Sequence, residues 1–198
     1  MIKAVVGVVL IAAWLYLLWT LNRSKLQFWH FLVGSMGLFI ILMVFVRPVM
    51  TEPLARVIVA MAGLFGEATG TFTPYFKYGI LFVNAAQGAI TLQIDFECSG
   101  IIEIMAFLSL LCFFRVYKIR ERIVVGVLGT LYITVANALR IIVISEMIYY
   151  FGLDVYYIAH TIIGRFVFYA LSILLYFYVF TKPQIVRMKL GKFTYGDH

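Results

Sequence analysis

The sequence has few charged residues and very few cysteines, histidines and prolines. Only 13% of its 198 residues are charged, whereas 64% are hydrophobic. Soluble domains average about 25% charged and about 45–50% apolar residues, so the composition excludes a soluble domain. Long uncharged runs predict an integral membrane protein instead. The net charge of +7 points to no nucleic-acid partner, because the basic residues flank apolar runs and read as topology signals.

The scarcity of cysteine and histidine leaves little for a disulfide or a metal site. Cys98 and Cys112 lie 14 positions apart, or about 21 Å on a single helix. That separation is too large for them to bridge each other. The sequence also has no HExxH, no paired CxxC and no Gly-rich loop ending in Lys-Ser/Thr. We therefore predict neither a metal nor a cofactor.

Five apolar runs are predicted to cross the membrane as helices within one domain over residues 1–198. They cover residues 4–21, 28–46, 100–114, 123–149 and 155–180. A span needs about 20 residues, so the third run borrows residues from its flanks. The first is expected to be a retained helix rather than a signal peptide, because no small-residue cleavage site is evident. The predicted fold class is an all-α polytopic membrane protein.

Lysine and arginine are distributed unevenly among the segments that connect these runs. Residues 22–25, residues 115–122 and the tail after 180 hold ten of them and share one side of a five-span chain. The opposite side holds four, although its main segment, 47–97, is much longer. The positive-inside rule predicts a plasma-membrane protein with its N-terminus outside and its C-terminus in the cytoplasm.

The external segment 47–97 is predicted to contain a short helix and a β-hairpin. Residues 54–65 are apolar but too few to span, which favours an interfacial or re-entrant helix. Residues 80–83 and 90–96 are rich in β-prone side chains, and residues 84–89 suit a turn. The hairpin would lead directly into Cys98.

Helix direction predicts that Cys98, Arg140 and His160 reach the same external level. Cys98 precedes an inward helix, whereas Arg140 lies about 26 Å along the outward one and His160 about 30 Å above the inner end of the last. A thiolate is favoured by a helix N-terminus and by nearby cations. His160 would serve as base and acid, and Arg140 would stabilise an oxyanion. Asn137 shares the helix face of Arg140.

The same residues also admit structural roles. A cysteine at a helix start is commonly an inert, buried side chain. Glu103 and Arg165 each lie five residues, or about 7.5 Å, below the level of the site, which predicts a buried ion pair bracing its floor. Other functions consistent with the sequence are a transporter or channel component with these charges along a pathway, a thiol redox protein, and a surface-assembly scaffold.

Three short motifs carry a resemblance to a known family. They are ECSGI at residues 97–101, NALRI at 137–141 and HTIIGRFVF at 160–168. Their order and their placement on three successive helices resemble the signature regions of the exosortase/archaeosortase family. The chain is most similar to the compact branch of that family found in Gram-positive bacteria. The resemblance covers roughly residues 79–180.

This resemblance implies a membrane-embedded cysteine protease or transpeptidase. It would cut the C-terminal sorting signal of an exported protein and transfer that protein to an amine, glycan or lipid acceptor. By carry-over, Cys98 is the nucleophile, Arg140 the electrostatic stabiliser and His160 the acid/base. We expect substrate-binding or supporting roles for Asn137, Ser99, Glu103 and Arg165. We also expect the external hairpin to hold an extended substrate by strand addition.

Overall fold

The structure is a computed structural model that describes residues 2–85, 88–94 and 98–186. It is a helical membrane protein with one small antiparallel sheet at one end of the helices, as predicted. The helices are α1 (Ile2–Arg23), α2 (Gln27–Phe45), α3 (Arg47–Thr69), α4 (Ile101–Phe113), α5 (Ile119–Phe151) and α6 (Leu153–Val186). The strands are β1 (Phe72–Tyr75), β2 (Ile80–Ala85) and β3 (Gly88–Gln93).

Four of these helices, α2, α3, α5 and α6, are long and apolar enough to cross a membrane. Helix α1 has 22 residues, and α4, with 13, is shorter. The five predicted spans therefore correspond to α1, α2, α4, α5 and α6. The helix that the prediction treated differently is α3, which has 23 residues.

Contacts bring the basic segments together at one end of the helices, here called the basic end. Arg115, in the turn between α4 and α5, donates a hydrogen bond from Nη2 to Asn22 Oδ1 at the end of α1, over 2.8 Å. Arg120 and Lys182 line the same surface groove. The α1–α2 turn, the α4–α5 turn and the start of the tail thus lie side by side.

Helix α3 stays at the opposite end, here called the sheet end. Helix α2 leaves the basic end, and α3 follows it after the single residue Val46. Just beyond α3, Thr71 donates a hydrogen bond to Glu146 Oε1 over 2.6 Å. Glu146 lies near the end of α5 that is remote from the basic end. Although long enough to span, α3 therefore does not return to the basic end, and its full length replaces the short helix predicted at 54–65.

The sheet contains the predicted hairpin and one further strand. Strands β2 and β3 pair in antiparallel register from Ile80↔Gln93 to Ala85↔Gly88. Strand β1, absent from the prediction, pairs with the other edge of β2. The last two residues of the predicted second strand, 95 and 96, lie outside the described residues.

One buried apolar cluster holds the sheet, α3 and α5 together. It contains side chains from each of these elements, which are 0–5% exposed: Ile58, Val59, Phe72, Leu81, Val83, Ile141, Ile144 and Ile148. Burying such a side chain contributes about 1.5–3 kcal/mol. The cluster fixes the hairpin against the end of α5, and this position decides where the chain enters α4.

Candidate functional site

Cys98 lies in the short connection that leads into α4. Gly100 caps this helix in the left-handed conformation, with a φ of 69°. Glycine suits the position because a Cβ would be strained there. Ser99 is 1% exposed, and its Oγ accepts a hydrogen bond from the Ile101 N–H over 3.4 Å. The turn thus sets Cys98 directly before the N-terminus of a helix.

Asn137 attaches this turn to α5. Its Nδ2 donates a hydrogen bond of 2.6 Å to the carbonyl oxygen of Cys98, and the side chain is fully buried. A Cβ on Gly100 would lie 3.3 Å from the same nitrogen. The close approach of the two elements therefore depends on both residues. A buried carbonyl left without a donor would cost about 1–3 kcal/mol.

His160 approaches Cys98 from α6. Its Nε2 atom lies 3.0 Å from Cys98 Sγ, although the two residues are 62 positions apart. The Tyr156 ring stacks on the imidazole with a centroid separation of 5.6 Å and an interplanar angle of 21°. Ionisable side chains within hydrogen-bonding distance can exchange a proton, which is the arrangement required of a nucleophile and its base.

A local change of helix type presents His160. Residues Ala159–Ile163 form a π-helical turn inside α6. Such turns hold one extra residue, which shifts the direction of neighbouring side chains, and they are frequent at functional sites. The chain packs tightly here, since a Cβ on Gly164 would lie 2.7 Å from Ile144 Cδ1.

Cys98 and His160 open into a cavity of about 270 Å³. Its walls come from β3 and the residue after it, from α5 and from the start of α6. The other lining residues are Ile90, Thr91, Leu92, Gln93, Ile94, Ile141, Ile144, Leu153 and Tyr156. Because most of these side chains are apolar and the sulfur lies in the wall, the cavity could hold an uncharged segment of a ligand against the thiol.

Arg140 is buried near this pair but does not line the cavity. It is 5% exposed, and its guanidinium lies 5.9 Å from the centroid of the Phe168 ring. Within the described part of the chain, its Nε has no hydrogen-bond partner, and no hydrogen bond joins it to Cys98 or His160. The structure therefore brings Cys98 and His160 together and leaves Arg140 one helical turn from Asn137.

A family comparison gives this geometry its context. The family model for transmembrane exosortases matches residues 2–178, nearly the whole chain. The chain belongs to the transmembrane exosortase family. Comparisons with curated proteins and with solved structures give no match. Membership supports a sorting function of the membrane-transpeptidase type.

The predicted ion pair between Glu103 and Arg165 is wrong. Arg165 is exposed, and no salt bridge joins it to Glu103 in the part of the chain that the structure describes. Among the described residues, Arg140 is the cation placed to interact electrostatically with Glu103. Glu103 Oε2 is itself buried and, among the described residues, lacks a hydrogen-bond partner. The two charged side chains, Glu103 on α4 and Arg140 on α5, thus lie on neighbouring helices.

Other residues at the candidate site were not singled out from the sequence. Thr91 and Gln93 of β3 line the cavity, and Tyr156 supports His160. The sequence signal for the first two was the hairpin that leads into Cys98. Tyr156 lies among other tyrosines, Tyr149, Tyr150 and Tyr157, and such a group is typical of an aromatic belt at the membrane boundary.

Proposed function

We propose that this exosortase is a cysteine transpeptidase that cuts C-terminal sorting signals of exported proteins at the outer face of the plasma membrane. The observation that carries the proposal is the 3.0 Å contact between Cys98 Sγ and His160 Nε2. Two residues so distant in sequence meet on the wall of a cavity, beside a helix N-terminus that favours a thiolate.

The first step is acylation of Cys98. The thiolate attacks the carbonyl carbon of the scissile peptide bond, and a C–S bond forms as the carbonyl oxygen becomes an oxyanion. When the oxyanion collapses, the C–N bond breaks and His160, protonated at Nε2, gives its proton to the departing amine. The products are a thioester on Cys98 and the released C-terminal segment.

The second step returns the enzyme to its starting state. A nucleophile of the acceptor, either an amine or a hydroxyl of a glycan or lipid, attacks the thioester carbonyl while His160 removes its proton. The C–S bond then breaks and the thiolate leaves. If water takes the place of the acceptor, the outcome is hydrolysis, so the same residues support protease and transpeptidase activity.

Arg140 is proposed to stabilise negative charge during both steps. A guanidinium 5% exposed to solvent acts in a low-dielectric environment, where charges interact more strongly than in water. Asn137 lies on the same helix as Arg140 and donates a hydrogen bond to the carbonyl oxygen of Cys98. It is the proposed positioning residue for the nucleophile. Ser99, at the start of α4, supports the turn.

The orientation follows from charge and from the nature of the substrate. The basic end fits the cytoplasmic side under the positive-inside rule, which puts the sheet end and Cys98 outside and the C-terminus in the cytoplasm. A substrate held by its own membrane-spanning helix would present the bond next to that helix at the level of Cys98.

The test is to compare exported proteins from cells that contain the wild-type chain or Cys98→Ala. Mass spectrometry of C-terminal peptides is expected to show membrane-anchored proteins that lose their C-terminal helix only with the wild type. Cys112→Ala is the matched control, because Cys112 is exposed on α4 away from the cavity. Identical C-termini in all three strains would instead favour a non-enzymatic role as a scaffold or transporter component.

A further inference from the structure

The two edge strands of the sheet differ in their packing and in their proline content. The strand order is β1-β2-β3, so β1 and β3 form the edges. Strand β1 packs against α3, where Gly63 leaves room for the ring of Pro74. Proline on an edge strand blocks further pairing. Strand β3 contains no proline over residues 88–93 and, among the strands of the described residues, pairs with β2 alone.

The register identifies the backbone groups that β3 directs away from β2. The Ile94 N–H donates to the Gly79 carbonyl over 3.0 Å, one position beyond the pair Ile80↔Gln93. In an antiparallel ladder, hydrogen-bonded and non-hydrogen-bonded pairs alternate. The N–H and C=O groups of Leu92 therefore bond to β2, whereas those of Thr91 and Gln93 point to the open edge.

The open edge lies at the candidate active site. Thr91 and Gln93 line the same cavity as Cys98 and His160. A further strand would lie about 4.8 Å from β3, the normal spacing within a sheet. It would run along the wall that holds the thiol, with its alternate side chains directed to opposite faces.

We propose that an extended segment of the substrate pairs with the backbone of Thr91 and Gln93 as a fourth strand. The inference rests on the proposed function, because the paired segment is the one that carries the scissile bond to Cys98. Main-chain hydrogen bonds would hold the substrate in register, and side-chain contacts with the cavity would select its sequence. Binding would then depend on the backbone amide of every second substrate residue.

The test uses vinyl sulfone probes on the full chain in proteoliposomes. In both probes Cys98 Sγ adds to the vinyl carbon β to the sulfone, the C=C double bond becomes a single bond, and a proton goes to the carbon beside the sulfone. Methyl vinyl sulfone reports thiol reactivity alone, whereas acetyl-tetraalanine vinyl sulfone also reports main-chain binding. A set of tetraalanine probes with one N-methyl group at each position in turn then removes one amide donor at a time.

We expect the tetraalanine probe to label Cys98 faster than methyl vinyl sulfone. N-methylation at alternate positions should slow labelling about five-fold, the effect of one hydrogen bond, while the positions between them change little. Gln93→Pro removes an outward N–H that β2 does not use, so it should slow the peptide probe more than it slows methyl vinyl sulfone. Gln93→Ala, which keeps that N–H, should label faster than Gln93→Pro.

Equal labelling by all of the N-methylated probes would overturn strand addition. This comparison uses the wild-type chain, so it does not depend on the folding of a variant.

Different results overturn the two proposals. If methyl vinyl sulfone labels wild type and His160→Ala at the same rate, the proposed function is overturned together with this inference. If wild type and His160→Ala differ in that labelling rate, but N-methylation does not slow labelling at alternate probe positions, this inference alone is overturned.

Discussion

At the scale of single residues, Gly100 and Asn137 fix the position of Cys98. Gly100 adopts a φ of 69°, and a Cβ there would lie 3.3 Å from Asn137 Nδ2. Gly70 offers a matched control, because its φ is 71° and nothing lies within 4 Å of an added Cβ. Alanine in the left-handed conformation costs about 1–2 kcal/mol at either position.

We predict that Gly100→Ala and Gly70→Ala both lower the free energy of unfolding by roughly that amount, measured by thermal denaturation in detergent. Only Gly100→Ala also displaces the turn from Asn137, so only it should slow labelling of Cys98, by about ten-fold for a loss near 1.4 kcal/mol. The same labelling rate in both variants would show that this contact does not position the thiol.

At the scale of elements, the π-helical turn Ala159–Ile163 sets the direction of His160. Removing one residue restores a regular helix and rotates the preceding segment by about 100°. Ile162 is 57% exposed, so its deletion removes little packing. We predict that deleting Ile162 lowers the labelling rate of Cys98 to that of His160→Ala. Ile162→Ala keeps the chain length and should label like wild type; slow labelling in that control would point to lost packing instead.

The elements also show what local sequence can and cannot predict. The hairpin was predictable because β-prone runs flank a turn. Helix α3 was predicted only over the apolar residues 54–65, whereas the helix begins at Arg47. Pro48 lies in its first turn, where proline is tolerated, and the helix continues through Pro53. Strand β1 pairs Phe72 with Val83, a nonlocal contact, and it contains Pro74, which is acceptable only on an edge.

The sequence predicted the depth of the site residues in the membrane but not the direction of their side chains. Counting residues along helices put Cys98 and His160 at one level, and the structure joins them at 3.0 Å. The same counting failed for Arg165, because five residues rotate a side chain by about 140° from His160 in a regular helix. The π-helical turn between them changes that angle further. Residue spacing predicts the position of a residue along the helix axis. The neighbour that its side chain faces depends on helix packing, which the sequence does not display.

At the scale of the whole molecule, the basic end and the sheet end should face opposite compartments. Thr73 at the sheet end and Ser24 at the basic end are both exposed. In a chain with Cys98→Ser and Cys112→Ser, we predict that an impermeant maleimide labels Thr73→Cys on intact cells. Ser24→Cys should be labelled only after permeabilisation, since its neighbours are basic. The reverse pattern would mean that the candidate site faces the cytoplasm.

The most direct test of the central claim is the rate at which Cys98 reacts with an impermeant thiol reagent near neutral pH. The chain carries Cys112→Ser, so that one thiol is measured, and wild type is compared with His160→Ala and Arg140→Ala. If Cys98 is a nucleophile activated by His160 and Arg140, wild type reacts rapidly and both variants react at least about ten-fold more slowly. Equal rates in all three proteins, or no reaction in any, would contradict a catalytic Cys98.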